Sequence, residues 1–302
     1  MSEQPSADAR RLDATAVAAV QRRLLRAPAA PWLHGEVARR MGERLVIIRL
    51  KPSLVLDWWG RLGGADAVLS EVYPKARRIV VEPSALAVER SLVALRRPWW
   101  SASRWSGSAP QVVLDGSELV PGAQLIWANM MLHAVVDPPA LIERWQRLLA
   151  IDGFVMFSCL GPGTLRELRA LYVRLGWPAP TPGFIDMHDL GDMLVHAGFA
   201  DPVMDQETLT LRWDSAEALL AELRALGGNA APDRWPGLRT PRWRARLLRE
   251  LESLRGADGK LGLSFEVAYG HAFKAAPRLK PGEESVVSLA DMRSMLLSNI
   301  RP

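Results

Sequence analysis

Ser53-Leu-Val-Leu-Asp57, running on into Trp58-Trp59-Gly60-Arg61-Leu62-Gly63-Gly64, is the stretch on which the fold turns. A short apolar run that closes on an acid and enters a glycine-bearing turn reads as a buried strand leading into a helix. The helix is expected over Ala65–Tyr73 and stops at Pro74. The same unit then repeats outward. Arg78-Ile-Val-Val-Glu82 is a second strand, and Pro83 opens a helix to about Arg97. Gln111-Val-Val-Leu-Asp115 is a third strand and Gln124–Asn129 a fourth. Pro138-Pro139 starts a helix through Leu149, closed by Asp152-Gly153, and a fifth strand spans Gly153–Leu160. Helices at Thr164–Leu175 and Met187–His196, a strand near Asp201–Thr210, helices at Ser215–Ala225 and Pro241–Leu254, and a strand over Ser264–Phe273 complete the pattern. Apolar strands separated by helices predict a mostly parallel sheet covered on both faces. Right-handed crossovers make it doubly wound, with ligands at the carboxyl ends of the strands.

Upstream, Leu33, Val37, Met41 and Leu45 recur every fourth residue and mark an amphipathic helix. Residues 1–12 read as disordered, and the interrupted helical region that follows is broken by the two prolines within Ala27–Pro31. The expected organisation is a flexible N-terminal segment (1–32), one α/β domain (33–276) and a C-terminal tail (277–302).

Composition narrows the class. The chain has 302 residues, 49% hydrophobic and 24% charged, enough for one large globular domain. No apolar run approaches the roughly 20 residues that span a bilayer, so no membrane association is expected. Met1–Arg23 lacks the apolar stretch of a signal peptide. A single cysteine, Cys159, excludes an intrachain disulfide and a multi-cysteine metal site, and a cytoplasmic location is expected. The net charge of +5 admits nucleic acid, a membrane surface or an acidic protein partner, and solvated arginine faces on amphipathic helices are the preferred account of it.

Asp57, Glu82 and Asp115 close three successive strands. At one edge of a doubly wound sheet, an acid after the second strand can accept both ribose hydroxyls. One after the third can accept an exocyclic adenine amine, and one after the first can meet an amino group or orient the loop. The competing reading is that such acids merely cap strands and helix starts.

Val55-Leu-Asp57 with Gly60, Gly63 and Gly64, then Glu82, then Asp115-Gly-Ser-Glu-Leu-Val-Pro121, resembles a Rossmann-like class I methyltransferase. Other segments narrow the resemblance. They are Leu33-His-Gly-Glu-Val-Ala-Arg-Arg-Met41, Ile48-Arg-Leu-Lys-Pro52, Gly153-Phe-Val-Met-Phe-Ser158, and Gly161-Pro-Gly-Thr-Leu-Arg-Glu-Leu168. Most specific are Leu226-Gly-Gly-Asn-Ala230, Leu238-Arg-Thr-Pro241 and Ser264-Phe-Glu-Val-Ala-Tyr-Gly-His271. Together they are similar to the malonyl-acyl-carrier-protein O-methyltransferases of biotin synthesis over roughly residues 33–275. The resemblance implies a seven-stranded sheet with an antiparallel C-terminal strand and S-adenosylmethionine as cofactor. It implies cofactor contacts from Asp57, Gly60, Gly63, Glu82, Asp115 and Asn129. The implied substrate is an acyl-carrier-protein thioester or related small carboxylate. A carboxylate attacks a sulfonium methyl without a general base, so rate comes from orientation and no catalytic residue is assigned. Arg166 and Arg169 are positional candidates for holding the substrate carboxylate, against the reading of a solvated helix face.

Two departures from the family pattern bear on the same site. The family places glycines two, four and six residues after the acid equivalent to Asp57, and here those positions hold Trp59, Arg61 and Gly63. The family's tyrosine ahead of the Leu33 helix falls on Ala27. A rival expectation is therefore a non-catalytic methyltransferase-like protein that binds a partner. Asn129-Met-Met-Leu132 lacks the Pro-Pro-Tyr of base-methylating enzymes. His133 reads as structural, and His188, His196 and His271 lack metal spacing. Trp99, Trp100 and Trp105 among Arg96, Arg97 and Arg104 read as a packed loop, and no nucleic-acid partner is expected.

Overall fold

The computed structural model describes residues 11–96 and 109–276. Its seven strands are β1 (Leu54–Trp58), β2 (Arg77–Glu82), β3 (Gln111–Leu114), β4 (Ala123–Ala128), β5 (Leu149–Leu160), β6 (Ala200–Trp213) and β7 (Leu261–Phe273). They form one sheet in the order β3-β2-β1-β4-β5-β7-β6. Pairings among β1 to β5 are parallel, and β7 runs antiparallel between β5 and β6. This is the seven-stranded doubly wound sheet with an inverted C-terminal strand that the sequence predicts. The order reverses between β1 and β4, which puts the ligand crevice over the carboxyl ends of those two strands.

Alternation along β1 feeds two cores. Val55 joins a cluster with α2 (Trp32–Arg44), α4 (Asp66–Val72), α7 (Arg166–Arg174), α9 (Ala216–Leu226) and α10 (Pro241–Leu251). Leu56 and Trp58 join the opposite cluster with α6 (Pro138–Leu148) and α8 (Met187–His196). The helix starts are explicit in the sequence. Asp137 caps α6 through the Ala140 amide ahead of Pro138-Pro139. Asp186, Ser215 and Thr240 do the same for α8, α9 and α10.

The helical region expected ahead of the prolines is α1 (Ala14–Leu24), capped by Asp13. Asp13 also donates its amide to Ala230 O (2.8 Å) and pairs with Arg234 (2.7 Å), so α1 is tied to the segment after α9. Two strand expectations change. β5 begins four residues earlier than expected, because the Asp152-Gly153 turn is absorbed as an irregularity with Asp152 at φ 62°. β6 and β7 are longer than expected because they pair over twelve positions, from Ala200↔Phe273 to Trp213↔Leu261. The expected tail (277–302) and the Trp99, Trp100 and Trp105 cluster lie outside the described residues. No helix among the described residues is long and apolar enough to cross a membrane.

Candidate functional site

The loop after β1 takes a short path. Trp58 is fully buried and packs edge-on against Trp145, with ring centroids 5.9 Å apart. Trp59 continues the ladder, its amide donating to Val81 O (2.7 Å), and then turns the chain at φ 56°, ψ 40°. This left-handed conformation is one that glycine adopts freely and a side chain resists. A single helical turn, α3 (Gly60–Gly63), follows at once. The tryptophan thus performs the backbone turn expected of a glycine. Gly60 matters for a different reason: a Cβ there would lie 2.5 Å from Asp57 Oδ2 and 2.8 Å from a Val80 methyl.

The three strand-end acids differ. Asp57 is buried, its Oδ1 has no hydrogen-bond partner, and burial raises its pKa to about 6 against the opposing pull of Arg78. Glu82 is fully buried. Its Oε1 accepts from the Arg61 amide (2.8 Å) and from Ser91 Oγ (2.6 Å) on α5 (Ala85–Ala94). Its Oε2 has no partner, and burial pushes its pKa up to about 7. Asp115 donates its amide to Glu82 O (2.6 Å), while its carboxylate is ion-paired with Arg144. The Arg144 guanidinium also lies over the Trp58 ring.

Asn129 is fully buried and fully engaged. Its amide donates to His34 O (2.7 Å) and Gly63 O (2.6 Å), and its carbonyl accepts from Ser158 Oγ (2.7 Å). It therefore pins the start of α2, the end of α3 and β5 together. Gly63 sits under it, where a Cβ would come within 3.2 Å of Asn129 O.

The two departures noted in the sequence meet in space. Arg61 donates to the carbonyls of Pro28 (2.7 Å) and Ala27 (3.2 Å). The residue that replaces a family glycine thereby holds the segment from which the family tyrosine is missing.

Beside this loop lies a cavity of about 200 Å³ over the ends of β1, β4 and β5. Trp59 just after β1, Met130 and His133 after β4, and Leu160 at the end of β5 line it from one side, and α1 together with Gly227–Ala230 covers it. His34, which sequence reasoning passed over, also lines it. Its Nδ1 donates to Leu62 O (2.7 Å), and burial lowers its pKa to about 4. His133 Nδ1 accepts from the Leu160 amide (3.3 Å), which leaves a proton on Nε2 of the neutral ring. Burial, with His34 nearby, lowers the His133 pKa to about 3. Both imidazoles are neutral at physiological pH. Arg166 pairs with Glu167, and Arg169 donates to Pro162 O. Neither lines the cavity.

No protein-family model matches the chain. The chain is 38% identical over 264 residues to the malonyl-[acyl-carrier protein] O-methyltransferase of Gallionella capsiferriformans, covering 86% of this chain and 90% of that protein. It is 36% identical over 256 residues to the enzyme of the same name from Laribacter hongkongensis, covering 82% and 85%. In fold it is similar to YcgJ from Bacillus subtilis (TM-score 0.51, 11% identity) and to a putative methyltransferase from Bacillus halodurans (TM-score 0.52, 9% identity). Each comparison covers 79% of this chain and 99% of the other. These relatives give no support to a non-catalytic protein, and by the extent of its identity to them the chain belongs to the malonyl-[acyl-carrier protein] O-methyltransferase family.

Proposed function

We propose that this chain is an S-adenosylmethionine-dependent O-methyltransferase that esterifies the carboxylate of an acyl group carried on acyl carrier protein, in the cytoplasm. The observation that carries the reading is Glu82. It is a fully buried carboxylate at the end of β2 with one oxygen, Oε2, lacking any hydrogen-bond partner. A buried unpaired oxygen is costly, and two adjacent ribose hydroxyls are donors suited to it. Asp57 Oδ1, equally unpartnered, suits the ammonium group of the methionine moiety. Asp115 suits the adenine amine if it shares its carboxylate with Arg144. Gly60 and Gly63 allow the loop its close approaches, and Asn129 acts by fixing that loop.

The cofactor, when bound, supplies a methyl group on a cationic sulfur, an already activated electrophile. The chain therefore has no proton to remove from a carboxylate nucleophile. Its residues bind and orient the reactants and exclude water. The neutral His133 offers an N–H to a carbonyl oxygen without adding a second cation beside the sulfonium.

The carrier partner is supported by charge. Arg242, Arg244 and Arg249 on α10 are exposed and have no acidic partner among the described residues. Arg239 stacks on Trp235 and Trp243 (4.4 Å to each centroid), and Arg246 lies over Trp177. An acidic carrier would meet a basic face braced by aromatic rings.

The test is calorimetric titration with S-adenosylhomocysteine. The wild-type chain binds, and Glu82→Ala loses about 1.5–3 kcal/mol, or ten- to a hundredfold in affinity. Equal binding by both proteins removes Glu82 from the site, and no binding by the wild type removes the cofactor assignment.

A further inference from the structure

We infer that the crevice beside the Trp59 loop holds the substrate carboxylate with neutral donors and no charge of its own. The cofactor's sulfonium is then the counter-charge, and carboxylate binding is switched on by the methylated cofactor and off by the demethylated one. The inference deepens the preceding reading and rests on it for the identity of both reactants.

The first ground is the lack of fixed charge. Among the described residues, no Lys, Arg, Asp or Glu lines the crevice. His34 and His133 are its ionisable side chains, and burial holds both in the neutral form. Arg23 donates to the carbonyl of a lining residue, Gly227, and Arg169 to Pro162 O, but neither lines the crevice itself. A carboxylate that enters alone is therefore a buried anion without a partner, which is heavily penalised.

The second ground is what the lining offers in place of charge. Trp59 Nε1 and Thr181 Oγ1 belong to lining residues, are buried and have no hydrogen-bond partner. His133 accepts at Nδ1 from the Leu160 amide and keeps a proton on Nε2. A carboxylate is an acceptor with room for several donors. Neutral donors orient it without cancelling its charge, whereas an arginine fork does both. Trp59, standing where the family has a glycine, brings a side-chain donor that glycine lacks.

The third ground is the charge balance of the transfer. A carboxylate oxygen forms a bond to the methyl carbon as the carbon–sulfur bond breaks, its electron pair staying on sulfur. One anion and one cation become a neutral ester and a neutral thioether, and no proton moves. Surroundings without ions strengthen the attraction between the two reactants. They hold neither product by charge once the methyl has moved.

The experiment is calorimetric titration of acyl carrier protein into the full chain at neutral pH and fixed salt. The carrier bears either a malonyl group or the methyl ester of that group. The chain is saturated either with S-adenosylhomocysteine, whose sulfur is neutral, or with sinefungin, which carries a protonated amine where the cofactor carries its methylsulfonium. Comparing the four combinations cancels the docking of the carrier itself. The malonyl carrier should bind the sinefungin complex at least about tenfold more tightly than the S-adenosylhomocysteine complex, and the ester carrier should bind both alike. Gln21→Arg places a cation on the covering helix, at a partly buried residue that lines the crevice. It should raise the affinity of the S-adenosylhomocysteine complex for the malonyl carrier by about tenfold or more. Equal affinity of the malonyl carrier for the two wild-type complexes overturns the inference, because the protein then supplies the counter-charge. So does a difference that the ester carrier shares, because shape rather than charge then decides. A folded Gln21→Arg protein whose S-adenosylhomocysteine complex binds the malonyl carrier no better than wild type also overturns it, because the carboxylate then lies elsewhere. These three outcomes leave the preceding reading standing. A chain that binds neither analogue, or neither carrier, contradicts that reading and the inference with it.

Discussion

Replacing Trp59 by alanine and by glycine separates the backbone from the side chain at the turn on which the site depends. The indole is 92% removed from solvent, since Trp59 is 8% exposed. Truncating a buried tryptophan costs about 3–5 kcal/mol, and both variants lose that. They differ in the backbone. At φ 56° a residue with a Cβ carries about 1–2 kcal/mol of strain that glycine does not. Against this, glycine costs roughly 0.4–1 kcal/mol through the greater freedom of the unfolded chain. The balance favours Trp59→Gly over Trp59→Ala by about 1 kcal/mol, the reverse of the usual order. Urea unfolding midpoints with matched slopes measure it. Trp59→Ala being as stable as Trp59→Gly, or more so, would refute the left-handed turn. The same glycine variant removes an indole that lines the cavity, so S-adenosylhomocysteine should bind Trp59→Gly more tightly than wild type, although the variant is less stable overall.

Further expectations follow from burial and charge. Glu82 and Asp57 have folded pKa values of about 7 and about 6, raised from 4.5 and 3.8. The folded state holds these protons more tightly, so their contribution to stability is fully present below about pH 4 and is lost as pH rises to about 7. Glu82→Gln removes the Glu82 share. Its stability relative to wild type should therefore increase between about pH 5 and about pH 8, and a constant difference in unfolding midpoints would show that Glu82 titrates normally. Asn129→Ala strands the carbonyls of His34 and Gly63, and should destabilise the fold by about 3 kcal/mol or more. A change confined to cofactor affinity, with the melting temperature unmoved, would mean that Asn129 is a ligand contact rather than a clamp. Arg242→Glu with Arg249→Glu, both exposed and without an acidic partner among the described residues, should abolish low-salt binding of an acidic carrier protein without lowering the melting temperature. Binding by wild type that ignores added salt would leave α10 as ordinary surface.

The sheet was legible in the sequence because its strands are apolar runs bounded by prolines, glycines and acids. Val55-Leu-Asp57, Ile79-Val-Val-Glu82 and Val112-Val-Leu-Asp115 all appear close to where they were expected. The helix starts expected at Pro138, Met187, Ser215 and Pro241 were equally readable, each within one residue of the observed start, because helix initiation is local chemistry. What escaped depends on distant partners. Trp59 gives no sign of a left-handed turn, since tryptophan is not a turn residue and tertiary packing holds it there. His34 looked like one more residue of an amphipathic helix. Its role comes from Leu62 O, across a contact between α2 and α3. The twelve-pair ladder between β6 and β7 lengthens both strands through each other, and neither end carries its own signal. The tie between Arg61 and Ala27–Pro28 joins two departures that are separated by thirty-three or more residues along the chain.

The most direct measurement is transfer of a labelled methyl group from S-adenosylmethionine to purified acyl carrier protein bearing a carboxylate-terminated acyl group, with the modified carrier read by intact-protein mass spectrometry. The account predicts one methyl ester per carrier, lost on base hydrolysis and strongly reduced in Glu82→Ala. Absence of any methylated carrier with malonyl and longer acyl groups alike, from a folded wild-type protein that also fails to bind S-adenosylhomocysteine, would contradict it.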